Sequence, residues 1–370
     1  MRVLILNSFY YPLYANKGTN GTSRFCVNQH RVMKHFGHDV MHVTCEGSDL
    51  VYPGEQAILK GRVDIMDESR KAKSDVTRKM ALEIMRIHNE FKPDVVLDSC
   101  NKRIITTFAS KITTPYVFMS HNPTPIGTGD MTSTKEMFDR LGILHVGVSH
   151  WQNKKYGHVF DDVMKVHLAE GEFCVPKIKE HENYAVYISR WDKYKAPWII
   201  INKFLKHIDM PLHFFTTLDG NDLTGTDKVL EKLQANSQVT FHVDADRSVM
   251  LDHVSRARVF LGNPYESAGI VALEANQNGI PYFVHVQNDK PLAQEEYLAP
   301  RGMKKSIGEN YYSDFVKLII DNHDFDVRES LAQSTREAYD VNAFYADQMR
   351  VIEKAKTQRF NALHQELDLF

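Results

Sequence analysis

Two short segments hold the side chains best suited to chemistry. The first runs from Pro264 through Glu266, Gly269 and Glu274 to Gly279-Ile280-Pro281. Helical periodicity begins after Gly269, so the amides of Ala268, Gly269 and Ile270 sit at a helix start. Amides without intrahelical acceptors, together with the helix dipole, attract an anion such as phosphate. Gly269 allows a ligand close to the backbone. A carboxylate beside a phosphate is unfavourable unless it accepts hydrogen bonds, and Glu266 and Glu274 suit the hydroxyls of a sugar and a ribose. The competing reading makes Glu266 a helix-start charge and Glu274 a solvated helix residue. The second segment is Ser189-Arg190-Trp191-Asp192-Lys193-Tyr194-Lys195-Ala196-Pro197. Arg190 supplies a fork of donors and Lys195 a point charge, a combination suited to a diphosphate. Taken alone, the segment also fits a solvated basic loop.

Both segments follow short apolar runs that read as strands, Val259-Phe260-Leu261 and Tyr184-Ala185-Val186-Tyr187-Ile188. The same alternation opens the chain. Val3-Leu4-Ile5-Leu6 is a strand, a Gly-, Asn- and Thr-containing loop follows, and Thr22 or Ser23 caps a helix to Phe36. Gly37 ends that helix, and residues 38–44 form the next strand. A helix is expected over Lys73 to Phe91, with strands at Val95-Val96-Leu97, Tyr116–Met119 and His145–Val148. After a pause near Glu170 to Lys179, helices are expected at 197–208, 250–257, 270–278 and 312–320. One more runs from Val327 to the C-terminus. Repeated βα units predict two doubly wound α/β domains, 1–175 and 176–335. Residues 336–370 form a helical segment packing back across the domains. Ligands of such sheets sit at the strand C-termini, here in the cleft between domains.

The 370 residues, 43% hydrophobic and 25% charged, suit a two-domain globular enzyme. No apolar stretch is long enough to span a bilayer, and residues 1–14 lack a secretory pattern, so stable membrane insertion is not expected. The four scattered cysteines form no CxxC pair, which points to a reducing cytoplasm. No helix shows the H-E-x2-H spacing and no metal site is expected. A P-loop is absent, and no Gly-x-Gly-x-x-Gly follows the first strand. Residues 1–175 carry a net charge of +3 and the remainder −5, which permits an anionic partner on the first half.

The two segments together resemble the retaining glycosyltransferases of the GT-B fold, specifically the large family-four-like group. That group carries an Arg and a Lys five residues apart after the first strand of its second domain. It also carries E-x7-E followed by a G-x-P strand entry. Arg190, Lys195, Glu266, Gly269, Glu274, Ala275 and Gly279-Ile280-Pro281 match, and so do the "FYYP" start, Gly37-His38-Asp39-Val40, Ser120-His121 and Gly147-Val148-Ser149. The resemblance implies that Arg190 and Lys195 hold the donor diphosphate. It assigns Glu266 to the transferred sugar and Glu274 to the ribose, with residues 267–270 as a cradle for phosphate and sugar. It places His121 over the donor sugar and Gly18 and Gly21 in a loop closing on the donor. His121 is followed by Asn122-Pro123, so a turn-capping role stays open. Ser267-Ala268 stands where the group has Gly-Phe, and Gly18-Thr-Asn-Gly21 replaces adjacent glycines.

The reaction implied is sugar transfer with anomeric retention from a nucleotide-diphosphate sugar, UDP-sugar being favoured, without metal or other cofactor. The first domain would receive the acceptor. Its basic residues, including Lys102-Arg103 and Lys154-Lys155, could track phosphates, or are a solvated face. Trp151 could stack on a ring, and so could Trp191 and Trp198, although core packing is the commoner role for Trp. A basic acceptor half resembles the bacteriophage enzymes that glycosylate hydroxymethylated pyrimidines in duplex DNA, which is the favoured acceptor. The rivals are a cell-envelope polysaccharide or lipid-linked acceptor, and a non-catalytic nucleotide-sugar binder or GT-B epimerase. Oligomeric state is not legible.

Overall fold

Short apolar runs bounded by Gly, Pro and Asn become parallel strands, and the amphipathic stretches between them become the crossovers that parallel strands require. The computed structural model describes residues 1–9, 12–14, 21–62, 70–99, 108–121, 131–157, 159–166, 179–193, 195–218, 226–266, 269–298 and 302–367. The chain divides into two units. The first holds residues 1–15, 19–172 and 340–370, and the second holds 16–18 and 173–339. The expected boundary at 175 lies outside the described residues.

The first unit carries β1 (Arg2–Leu6), β2 (Asp39–Thr44), β3 (Gln56–Ile58), β4 (Val95–Ser99), β5 (Tyr116–Ser120), β6 (Ile143–Gly147) and β7 (Asp162–Val163). They form a parallel sheet in the order β3-β2-β1-β4-β5-β6-β7. Its helices are α1 (Gly21–His35), α2 (Arg70–Phe91), α3 (Met131–Arg140) and α4 (His150–Tyr156). Helices on both faces leave the central strands no solvent side, and β4, β5 and β6 are buried at every residue. Leu4, Leu6, Val96 and Phe118 pack there with Met80 and Ile84 of α2. Thr22 and Ser23 lie inside the first turn of α1 rather than capping it, because the helix already starts at Gly21. Ser23 instead accepts a hydrogen bond from Asn7 at 3.3 Å.

The second unit carries β8 (Ala185–Ile188), β9 (Leu212–Thr216), β10 (Val239–Val243), β11 (Val259–Gly262), β12 (Tyr282–Val286) and β13 (Met303–Ile307). Their order is β10-β9-β8-β11-β12-β13, again parallel. Its α-helices among the described residues are, in chain order, α5 (Pro197–His207), α6 (Asp227–Gln234), α7 (Arg247–Arg256), α8 (Ile270–Gln277), α9 (Tyr311–Asp321) and α10 (Phe325–Ala338). Trp191, Phe204, Phe214, Leu261 and Phe283 form the centre of its core.

The long C-terminal helix expected from Val327 onward is two helices, α10 and α11 (Val341–Leu367). Asp340 makes the break. Its carboxylate accepts from the Ala343 amide at 2.6 Å, an N-cap that starts a new helix. Helix α11 is bound into the first unit. Tyr345 stacks on Phe36 at 3.9 Å, Gln358 donates to the Ile143 carbonyl at 2.9 Å, and Arg350 reaches the Val163 carbonyl at 2.6 Å. No helix among the described residues is long and apolar enough to cross a membrane.

Candidate active site

In the second sheet the connection direction reverses between β8 and β11, which lie side by side. Such a switch point opens a crevice at the strand C-termini, where the two outgoing loops diverge. Here those loops are residues 189–196 and 263–269, the two segments singled out in the sequence.

The loop after β8 is organised by Asp192. Its carboxylate accepts from the Lys195 amide at 2.6 Å and lies 3.3 Å from the Arg190 guanidinium. Its carbonyl accepts from the Ala196 amide at 2.8 Å. Ala196 sits in the left-handed region with φ 40° and ψ 54°, immediately before Pro197 at the start of α5. A non-glycine residue there costs on the order of 1–2 kcal/mol, strain of the kind that gathers at binding sites. Trp191 turns inward. It is fully buried, donates to Thr226 at 3.1 Å and packs against Trp198 and Phe214, so it is a core residue.

The loop after β11 meets this one directly. The Lys195 ammonium lies 2.7 Å from a Glu266 carboxylate oxygen and 2.7 Å from the Tyr265 carbonyl. Only 12% of the Lys195 side chain and 26% of the Glu266 side chain are exposed, so the pair is partly withdrawn from water. Asn263 ties the loops together. Its amide nitrogen donates to the Lys195 carbonyl at 2.9 Å, and its oxygen accepts from the Tyr265 amide at 2.9 Å. Gln294 donates to the Asn263 carbonyl at 2.8 Å and closes the network. Gly269, with φ 81°, caps α8 and turns the chain into it. A Cβ there would stand 3.4 Å from Gln294.

Glu274 is not a solvated helix residue. It is buried on α8 and paired with Arg247, the first residue of α7, and their side chains are 4% and 12% exposed. No local pattern points to Arg247, because α7 starts three residues before the apolar repeat that marks it. Asn263 was missed because nothing in its type or spacing distinguishes it from an ordinary turn residue. Arg190, Lys195, Glu266, Gly269, Ile270 and Glu274 therefore belong to one unit, with Lys195 and Glu266 in contact. Ser267 and Ala268 lie outside the described residues, as do Gly18, Lys102 and Arg103.

The remaining candidates are in the first unit. His121 follows β5 and lies 3.2 Å from the hydroxyl of Ser99, with its ring edge-on to Phe25 at 4.7 Å. Burial pushes its pKa down to about 3, so the imidazole is neutral at neutral pH. Gly21 opens α1 and is exposed. Trp151 is half-buried on α4 with the Lys155 ammonium 4.8 Å over its ring.

No protein-family model matches the chain, and no curated protein does. Solved structures do. A sucrose-phosphate synthase from Thermosynechococcus elongatus superposes with a TM-score of 0.67 at 11% identity, covering 100% of this chain and 99% of that one. The catalytic domain of starch synthase IV from Arabidopsis thaliana, solved bound to ADP and acarbose, gives 0.66 at 8% identity, covering 96% and 99%. A lipopolysaccharide outer core galactosyltransferase gives 0.56 at 11% identity, covering 95% and 99%. The chain thus has the GT-B glycosyltransferase fold, two parallel-sheet α/β units of seven and six strands.

Proposed function

We propose that the chain is a retaining glycosyltransferase that moves a sugar from a nucleotide-diphosphate sugar, with UDP-sugar the favoured donor, to an acceptor hydroxyl. The observation that carries this reading is the contact of Lys195 with Glu266 at 2.7 Å beside the start of α8. It joins a cation suited to a departing diphosphate with a carboxylate suited to sugar hydroxyls. The loops bearing them leave the two strands that flank the switch point. A fold neighbour solved with ADP and acarbose supports a nucleoside diphosphate as the ligand class.

In this reaction the bond from the anomeric carbon to the diphosphate breaks and negative charge grows on the leaving oxygen. Arg190, Lys195 and the amides of Gly269 and Ile270 stabilise that charge as it develops. Glu266 orients the sugar through its hydroxyls. Glu274, held by Arg247, takes the ribose hydroxyls. The leaving phosphate accepts the acceptor proton, so no protein nucleophile is assigned. The cationic side chains make a metal at the diphosphate unnecessary. Neutral His121 offers the sugar a hydrogen-bonding partner without adding charge.

The favoured acceptor is 5-hydroxymethylpyrimidine in duplex DNA. Support comes from the positive balance of the first half and from the Lys155–Trp151 pair, a cation and a ring side by side. On α2, Arg86 is engaged by Glu83 at 2.7 Å and Glu90 at 2.6 Å, which weakens that helix as a phosphate track. A cell-envelope saccharide or lipid-linked acceptor is the second reading, favoured by the likeness to the lipopolysaccharide galactosyltransferase. The test incubates the chain with a panel of UDP-, ADP- and GDP-sugars. Hydroxymethylated duplex DNA or a lipid-linked oligosaccharide is the acceptor, and nucleotide release and product mass are read. Sugar-mass addition to DNA with UDP release is expected. A non-catalytic binder would release nothing, and an epimerase would isomerise the sugar without release. Full turnover by Glu266→Ala would refute the site.

A further inference from the structure

Three histidines of the second unit, His213 on β9, His242 on β10 and His253 on α7, each bring an imidazole nitrogen within 4.8 Å of the other two. The fold assembles them. Strands β9 and β10 pair in parallel with Phe215 opposite His242. Strand alternation sends Leu212 and Phe214 to the apolar core and His213 and Phe215 to the other face. Helix α7 lies over that face, where the His253 ring centroid is 4.6 Å from that of His213 and 5.0 Å from that of His242. His213 Nδ1 and His242 Nε2 are 2.9 Å apart, so one ring donates to the other. His253 Nδ1 is buried and makes no hydrogen bond with the protein. All three residues are half-buried, so an ion has access.

We propose that His213, His242 and His253 form a three-imidazole binding site for a divalent transition-metal ion of the zinc type. Three imidazoles with water in the fourth position are a familiar tetrahedral zinc donor set. Zn–N bonds of about 2.0–2.1 Å place ligand nitrogens roughly 3.3 Å apart. The closest pair therefore opens by a few tenths of an ångström, and His253 turns inward about its own side-chain torsions. Burial lowers the pKa of all three, to about 4 for His213, helped by the neighbouring rings at His213 and His242 and by Arg256 at His253, which keeps the metal-binding neutral form populated at neutral pH. The nearby cation, Arg256, is matched by Glu182 and Asp252. The ligands come from 213, 242 and 253 on three elements, so no local spacing announced them. An ion here clamps α7 onto β10, the edge strand of the sheet.

The test is direct binding by the full chain after chelator treatment and desalting. Titration with ZnCl2 at pH 7.5 is expected to saturate at one equivalent and to raise the melting temperature. Co2+ is expected to give the visible absorption of a four- or five-coordinate site. His253→Gln and His242→Phe should each weaken zinc binding by roughly tenfold or more. The phenyl ring preserves the stack on Phe215 at 4.2 Å, so that variant retains packing, and metal-free melting curves check both folds. His364→Gln, an exposed control on α11, should bind as the parent does. Absence of stoichiometric zinc binding by the parent would overturn the proposal. Undiminished binding by either folded variant would do the same.

Discussion

The switch points of the two sheets are built from different materials. In the first unit, where β1 and β4 adjoin, the strand ends carry Asn7, Ser99, Ser120 and His121, uncharged groups joined to one another or to Ser23, Cys26 and His145. In the second, where β8 and β11 adjoin, the corresponding loops carry ions: Arg190 with Asp192, Lys195 with Glu266, and Arg247 with Glu274 just behind. Among the described residues, the same topology therefore offers one neutral hydrogen-bonding floor and one set of paired charges. The neutral groups pair with one another across adjacent strands or with residues of α1. Partly buried ions need a counter-charge, and here Lys195 and Glu274 find theirs on other elements, which makes the second site dependent on its loops staying in register.

That contrast can be attacked at its strongest point first. Arg247→Met removes the guanidinium from Glu274, whose side chain is 4% exposed. A loss of about 3–5 kcal/mol in urea-unfolding stability is expected. Combining it with Glu274→Met should restore most of that loss, and a single variant as stable as the parent would show that the charges are not interdependent. Next is Lys195→Ala, expected to lower kcat/KM by roughly a hundredfold, about 3 kcal/mol. His121→Asn in the first unit should cost less than Lys195→Ala in the same steady-state assay, and the reverse ranking would invert the comparison.

The first unit has its own weakness. His42 is fully buried on β2 and its pKa is pushed down to about 3 by burial, from 6.5. Between those values the unfolded chain holds the extra proton, so stability falls as pH drops from 6.5 towards 3 and is flat above. At pH 5 the expected loss from this group is roughly 2 kcal/mol. His42→Leu should flatten the pH dependence of the urea midpoint, and an unchanged slope would remove His42 from the account. The smallest effect expected is that of Gly269→Ala. A left-handed alanine costs about 1–2 kcal/mol. The new Cβ stands 3.4 Å from Gln294, so weaker nucleotide-diphosphate binding by calorimetry should accompany a small drop in Tm.

Much of this was legible in residue order. Continuous apolar runs located the core strands, because a strand covered on both faces has no polar face to show. Some strands carry no such signal: Gln56–Ile58 and Asp162–Val163 are too brief for any period to register, and Met303–Ile307 reads M-K-K-S-I, with two lysines interrupting the apolar run. The break at Tyr339–Asp340 was visible only as one Asp whose cap outweighs a continuing helical pattern.

For the candidate site, the chain's local order set out the Arg190–Lys195 loop and the Glu266–Glu274 helix start, because strand ends, glycines and charge spacing are properties of neighbouring residues. Only the packed sheet decided that Lys195 touches Glu266, that Asn263 joins the two loops, that Arg247 covers Glu274, and that three histidines from separate elements converge. Those contacts join residues 11 to 71 positions apart. They exist because parallel strands bring together segments that a whole crossover helix separates, a distance over which local pattern carries no information.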